Sequence, residues 1–212
     1  MTDIRTEPTA VVETDLTHKM HRAATTLLTE AAGRPSVPAG ALAELRDFLV
    51  ANLHHHHESE DGQLWPLITA AAPETAAELA ALSEDHDLLD TALDALAGVP
   101  IGDTGRAALA EAASAVRDLV HDHLEREEPL LFPALRAHVS PEAWAEFSQQ
   151  VVATAPMEGA HLMIGLFDEV GSPEEVELVL SGLPEQARAF VPGMRQAARG
   201  SLAVLRGEND AT

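Results

Sequence analysis

Apolar residues recur at three- and four-residue intervals along most of the chain, the period of α-helices that each bury one face. Leu42, Leu45, Leu49 and Leu53 form one stripe, Leu82, Leu89, Leu93 and Leu96 a second, and Leu109, Val116 and Val120 a third. Proline and glycine punctuate the stripes and predict where the helices stop. A first helix is expected from about Thr14 to Ala32, closed by Gly33 and Pro35. A second starts near Pro38 and bends or stops at Pro66, and a third runs from near Pro73 to Gly98. A fourth starts at Asp103 or Thr104 and reaches about Glu128, with Pro129 and Pro133 disturbing its end. After Ser140-Pro141 the pattern changes, and shorter helices are expected at 142–154, 157–169, 173–182 and 184–207. The fold class is therefore all-α: an up-down four-helix bundle with additional C-terminal helices. Residues 1–12 read as a loose polar N-terminus, 13–139 as the bundle and 140–212 as a helical extension.

Two of the stripes lead into chemistry. At about 100° per residue, the Leu42–Leu53 stripe continues onto His56 and Glu60, and the Leu109–Val120 stripe onto His123 and Glu127. The His-Xaa3-Glu spacing thus occurs twice, and each copy is followed by the same ending, Leu64-Trp65-Pro66 and Leu131-Phe132-Pro133. The neighbouring pairs His54/Glu58 and His121/Glu125 have the same spacing but fall on other faces. His86 lies beside the Leu82–Leu96 stripe. On the first helix His21 borders Ala24 and Leu28, while His18 lies further from Leu16, Met20 and Leu27, so His21 is preferred and His18 stays open. Two helical hairpins, each offering a lone histidine and a histidine–carboxylate pair, describe a two-metal carboxylate centre inside a bundle. Its expected ligands are His21, His56, Glu60, His86, His123 and Glu127, with both glutamates bridging. His18, His57, Asp90 and His161 are further candidates. An inward glutamate without a cation costs several kcal/mol, and few Lys or Arg lie on these stripes. Imidazole with carboxylate suits iron or manganese, and zinc less well.

Composition narrows the reading. Aromatic residues make up 3% of the chain and Tyr is absent, which suits close-packed helices rather than strands and leaves no tyrosyl radical. The absence of Cys leaves imidazole and carboxylate as the available ligands. A formal net charge of −22 disfavours nucleic acid and anionic membrane surfaces as partners. No apolar run reaches membrane-spanning length and no signal-peptide pattern opens the chain, so the expected compartment is the cytoplasm.

The order of one histidine, His-Xaa3-Glu, one histidine, His-Xaa3-Glu, with a Leu-aromatic-Pro run after each carboxylate, resembles the hemerythrin-like (HHE) cation-binding family. It maps onto His21 (or His18), His56, Glu60, His86, His123 and Glu127 over roughly residues 14–138, and His21-Arg22-Ala23 resembles the family's first-helix signature. Leu183-Pro184 and the stretch from Arg195 to Gly207 are similar to an extension of actinobacterial members. The resemblance implies two iron ions bridged by carboxylates, and a small-molecule partner such as O2, NO or peroxide. Oxygen carriers of the family have a histidine where this chain has Asp90, and an Asp five residues after the fourth-helix histidine where this chain has Glu at four. Four histidines with two glutamates instead resemble the di-iron proteins implicated in nitric oxide response and iron-cluster repair. Three functions follow as expectations: reaction with O2, NO or peroxide; a di-iron oxidase or oxygenase acting on a small organic substrate walled in by the extension; or iron sensing or storage without turnover.

Overall fold

The computed structural model describes residues 7–102 and 105–208. Helices α1 (Thr9–Ala32), α2 (Ala39–Ser59), α3 (Trp65–Ala71), α4 (Ala76–Ala97) and α5 (Arg106–His138) are followed by α6 (Pro141–Thr154), α7 (Ala160–Val170), α8 (Pro173–Ser181), α9 (Glu185–Arg188) and α10 (Val191–Arg206). No strand occurs among the described residues. Each of α1, α2, α4 and α5 packs on two of the others, and α1 closes the ring against α5, which makes the four-helix bundle.

The helix expected at 184–207 is two, α9 and α10, and three boundaries of the bundle helices also differ from expectation, each for a physical reason. Helix α1 begins at Thr9, because Ala10, Val11 and Val12 are buried and repay helix formation in a stretch expected to be loose. The expected break near Pro66 is a π-helical turn, Glu60–Leu64, that joins α2 to α3. Here the Trp65 N–H reaches back five residues to the Glu60 carbonyl, and Pro66, which has no N–H to donate, follows in the first turn of α3. Helix α5 runs unbroken through Pro129 and Pro133 to His138. The tertiary packing of Leu124, Leu131 and Leu135 outweighs the backbone bonds those prolines remove. The expected start of this helix at Asp103 or Thr104 lies outside the described residues.

The C-terminal helices are attached by burial. Ser140 and Ser172 cap α6 and α8 by accepting from the N–H groups of Ala143 and Glu175, each at 3.2 Å. Gly159, at φ 65°, turns the chain into α7 where a Cβ would strike Phe48. Leu162, Phe167, Val176 and Leu202 of α7, α8 and α10 share one core with Leu16, Met20, Leu49 and Val120 of the bundle. A second core at the other end holds Val11, Leu64, Trp65, Ile68, Leu82, Leu131 and Trp144. Along α2, α4 and α5 a polar layer separates the two, between Leu53 and Leu64, Leu82 and Leu89, and Leu124 and Leu131. That layer contains the motif residues.

Candidate metal centre

His18, His57, Glu60, His86, His123 and Glu127 are all buried, and His56 is nearly so. His18, His56 and Glu60 each offer a ligand atom within 4.8 Å of the other two. His56 Nε2 stands 3.5 Å from Glu60 Oε1, and His18 Nε2 3.7 Å from Glu127 Oε1. The second half mirrors this arrangement. His86 Nε2 lies 3.6 Å from Glu60 Oε2 and 3.2 Å from His123 Nε2, which is 3.0 Å from Glu127 Oε2. Each glutamate therefore faces a histidine of both halves.

The acids that follow the motif glutamates explain how the lone histidines are aimed. His86 Nδ1–H donates to Asp61 Oδ2 at 3.0 Å, and His18 Nδ1–H donates to Glu128 Oε1 at 3.2 Å. Asp61 follows Glu60 and Glu128 follows Glu127, so each acid crosses to the histidine of the other hairpin. The aromatic residues of the two endings do the same: Trp65 stacks on His86 with ring centroids 6.2 Å apart, and Phe132 on His18 at 6.0 Å. A carboxylate at Nδ1 fixes the tautomer that turns an unprotonated Nε2 inwards. Asp61 is itself held by Ser83 Oγ at 2.5 Å, and Glu128 by Arg22 Nη1 at 2.6 Å.

This geometry brings His18, rather than the preferred His21, to the two glutamates. His21 Nε2 instead bonds Asn52 Oδ1 at 2.8 Å, its ring tilted against that of His56 at 4.7 Å. The sequence held a signal for this. His18 precedes His56 by 38 residues, against 37 from His86 to His123, while His21 precedes it by 35. His57, which helical phase points away from the stripe, is buried and stacks on His86 at 4.4 Å, with Nδ1 2.7 Å from Asp90 Oδ1. Asp90 also meets His54 Nδ1 at 3.2 Å, so it stands behind His57 rather than among the inward atoms. His161 lies apart, between Ser201 of α10 at 3.1 Å and Glu44 of α2 at 3.6 Å. Asp61, Glu128 and Asn52 were not picked out from the sequence, although an acid directly after each motif glutamate is itself a duplicated signal.

The electrostatics are those of a site short of positive charge. Burial, and then the charge of Glu127, push the Glu60 carboxyl well above the usual range. Burial pushes Glu127 the same way, but the imidazoles of His18 and His123 outweigh it and hold Glu127 ionised. Burial, followed by neighbouring imidazoles, lowers His56 and His86, and burial takes His21 down to about 3 despite its bond to Asn52. His18 Nε2, His56 Nε2, Glu60 Oε2 and both Glu127 oxygens are buried without a hydrogen-bond partner. Buried polar atoms are rarely left so, and these all converge on one space. Lone-pair nitrogens and carboxylate oxygens without donors are the set that cations fill, so the residues fit a metal cation.

The model of the hemerythrin HHE cation binding domain matches residues 9–135, more than half of the chain, and the chain belongs to this family. No curated protein and no solved structure matches it. The match ends before α6, so α6–α10 lie outside it. Among the described residues no helix is long and apolar enough to cross a membrane.

Proposed function

We propose that this protein is a non-haem di-iron member of the family, whose centre binds and reacts with O2, NO or peroxide. The observation that carries this reading is the convergence of unpartnered buried ligand atoms of His18, His56, Glu60 and Glu127 on one space, with His86 of α4 beside Glu60. His18 and His56 would hold one ion, His86 and His123 the other, with Glu60 and Glu127 shared between them. His57 adds a donor beside His86, and His21 braces His56. Bound iron supplies a redox-active Lewis acid with room for a small oxidant. The chain's residues do the rest: Asp61 and Glu128 orient His86 and His18, Trp65 and Phe132 cover those rings, and the flanking cores exclude water. Mononuclear or zinc loading is the reading this one displaces, because two carboxylates placed between four imidazoles are more than one tetrahedral ion takes.

A second reading extends the first. A cavity of about 180 Å³ opens onto His56 and Glu60 and is walled on its C-terminal side by apolar side chains of α6, α7 and α8. A gas-sized reactant needs no such space, so the cavity favours a small organic substrate oxidised at the same centre. The test is the optical spectrum of iron-loaded protein before and after air, NO and peroxide. A change with one of them supports the reaction and selects the reactant; an iron-loaded protein inert to all three contradicts it.

A further inference from the structure

The cavity beside the centre has a chemistry of its own. Phe147, Val151 and Val152 of α6 with Met163 and Phe167 of α7 give it an apolar wall, and the opposite wall carries Glu13, Thr17, Met20 and Asn52. The C-terminal wall lies beyond the residues matched to the family, so the family match assigns it nothing. A cavity of about 150 Å³ lined by aliphatic groups is large enough to take up benzene, and this one, at about 180 Å³, holds a body of that order.

Glu13 gives the cavity its polarity. Trp144 Nε1 donates to Glu13 Oε2 at 2.7 Å and Ser148 Oγ to the same oxygen at 3.2 Å, so two residues of α6 fix the carboxyl in place. Among the described residues both bonds land on Oε2. Among the described residues no Lys or Arg lines the cavity. His55 reaches it but bonds Thr154 Oγ1 at 2.8 Å, and His56 and Glu60 belong to the centre. Burial raises the Glu13 carboxyl above its ordinary range, opposed by the Trp144 and Ser148 bonds. A carboxyl held by neutral donors in an apolar pocket is completed by a cationic donor, and here the ligand has to bring it.

We propose that this cavity binds a small, mainly apolar amine as the organic substrate of the centre, its ammonium on Glu13 and its apolar body against Phe147, Val151, Met163 and Phe167, reaching towards His56. The assignment rests on the di-iron reading above, since a substrate needs a reacting centre. The arrangement also gives the C-terminal helices a role: α6 supplies both the donors that fix Glu13 and part of the apolar wall.

Calorimetric titration of the iron-loaded, full-length protein with benzylamine, benzyl alcohol and benzoate tests this, with iron per chain measured on the same samples. Benzylamine is expected to bind at least ten-fold more tightly than the alcohol, and benzoate more weakly still. Glu13→Gln, which keeps an acceptor for Trp144, should bring benzylamine to the level of the alcohol while the iron content stays at the wild-type value. Val151→Trp should block both ligands by filling the cavity. Benzoate binding as well as the amine, or benzylamine binding unchanged in Glu13→Gln, overturns the proposal. Two irons per chain with no benzylamine binding overturns the ligand class and leaves the di-iron reading in place. Protein without iron overturns that reading, and the substrate assignment with it.

Discussion

His18 and His86 are held alike, each by an acid at Nδ1 and an aromatic ring on its face, both from the opposite hairpin. If that attachment marks ligands, His18→Ala should lose iron while His21→Ala keeps most of it, as read by metal analysis; the reverse result would return the role to His21. Asp61→Asn and Glu128→Gln remove outer carboxylates and should each weaken iron binding by roughly 10–100-fold without unfolding the protein. The inward pairs His56/Glu60 and His123/Glu127 were legible because unbroken leucine stripes lead into them. The choice on α1 was legible from the spacing to α2 but not from helical phase, because Thr14, Asp15 and Arg22 flank His18 and Thr17, Ala24 and Thr25 flank His21, with no leucine stripe beside either. His57 was illegible for another reason: its burial comes from α4, through stacking on His86 and the bond to Asp90, and no pattern along α2 carries that. Protonation gives this scale a pH signature. His21 is lowered to about 3 by burial, so the unfolded chain takes up a proton that the folded one refuses, and stability falls as pH drops from about 6.5 towards 3. His56 and His86 are lowered too and act in the same direction. Glu60 is raised and acts oppositely, but it must lose its proton to bind metal. Thermal melts of metal-free protein should therefore fall on acidification below about 6.5, and iron affinity should rise with pH; a melting temperature flat across that window contradicts the buried neutral imidazoles.

The two copies of the Leu-aromatic-Pro ending diverge at the level of the element. After Glu60 the chain widens into a π turn and restarts as α3, whereas after Glu127 it stays α-helical through both prolines. Sequence spacing showed the repeat but not this difference, which depends on what each helix packs against further on. Pro129 withholds the N–H that the Glu125 carbonyl would accept, at a cost in helix interiors of about 3 kcal/mol. Pro129→Ala should therefore raise the melting temperature of metal-free protein, and a lower one would mean that the proline itself positions Glu127. On the C-terminal side Gly165 of α7 lies against Ala198 of α10, with no room for a Cβ. Gly165→Val should push these helices apart and lower the melting temperature, with iron content less affected than by His18→Ala.

For the whole molecule, the four bundle helices followed from periodicity, but the docking of the C-terminal third did not, because the residues that bury it are spread over α1, α2, α7, α8 and α10. They share one core, and we read residues 140–208 as part of the same folding unit rather than an appendage. A chain ending at residue 139 would expose Leu16, Met20 and Phe48, and should bind hydrophobic dyes and melt at a lower temperature; a fragment as stable as the full protein would show an independent bundle. Docking also creates the cavity over His56 and Glu60, which no single stretch of sequence displays. The central claim is a pair of irons held between Glu60 and Glu127, and metal analysis of protein purified from iron-supplemented cells tests it most directly. The account predicts two irons per chain in the wild type and loss of both in Glu127→Ala. Zinc alone, or less than one metal ion per chain in the wild type, would contradict it.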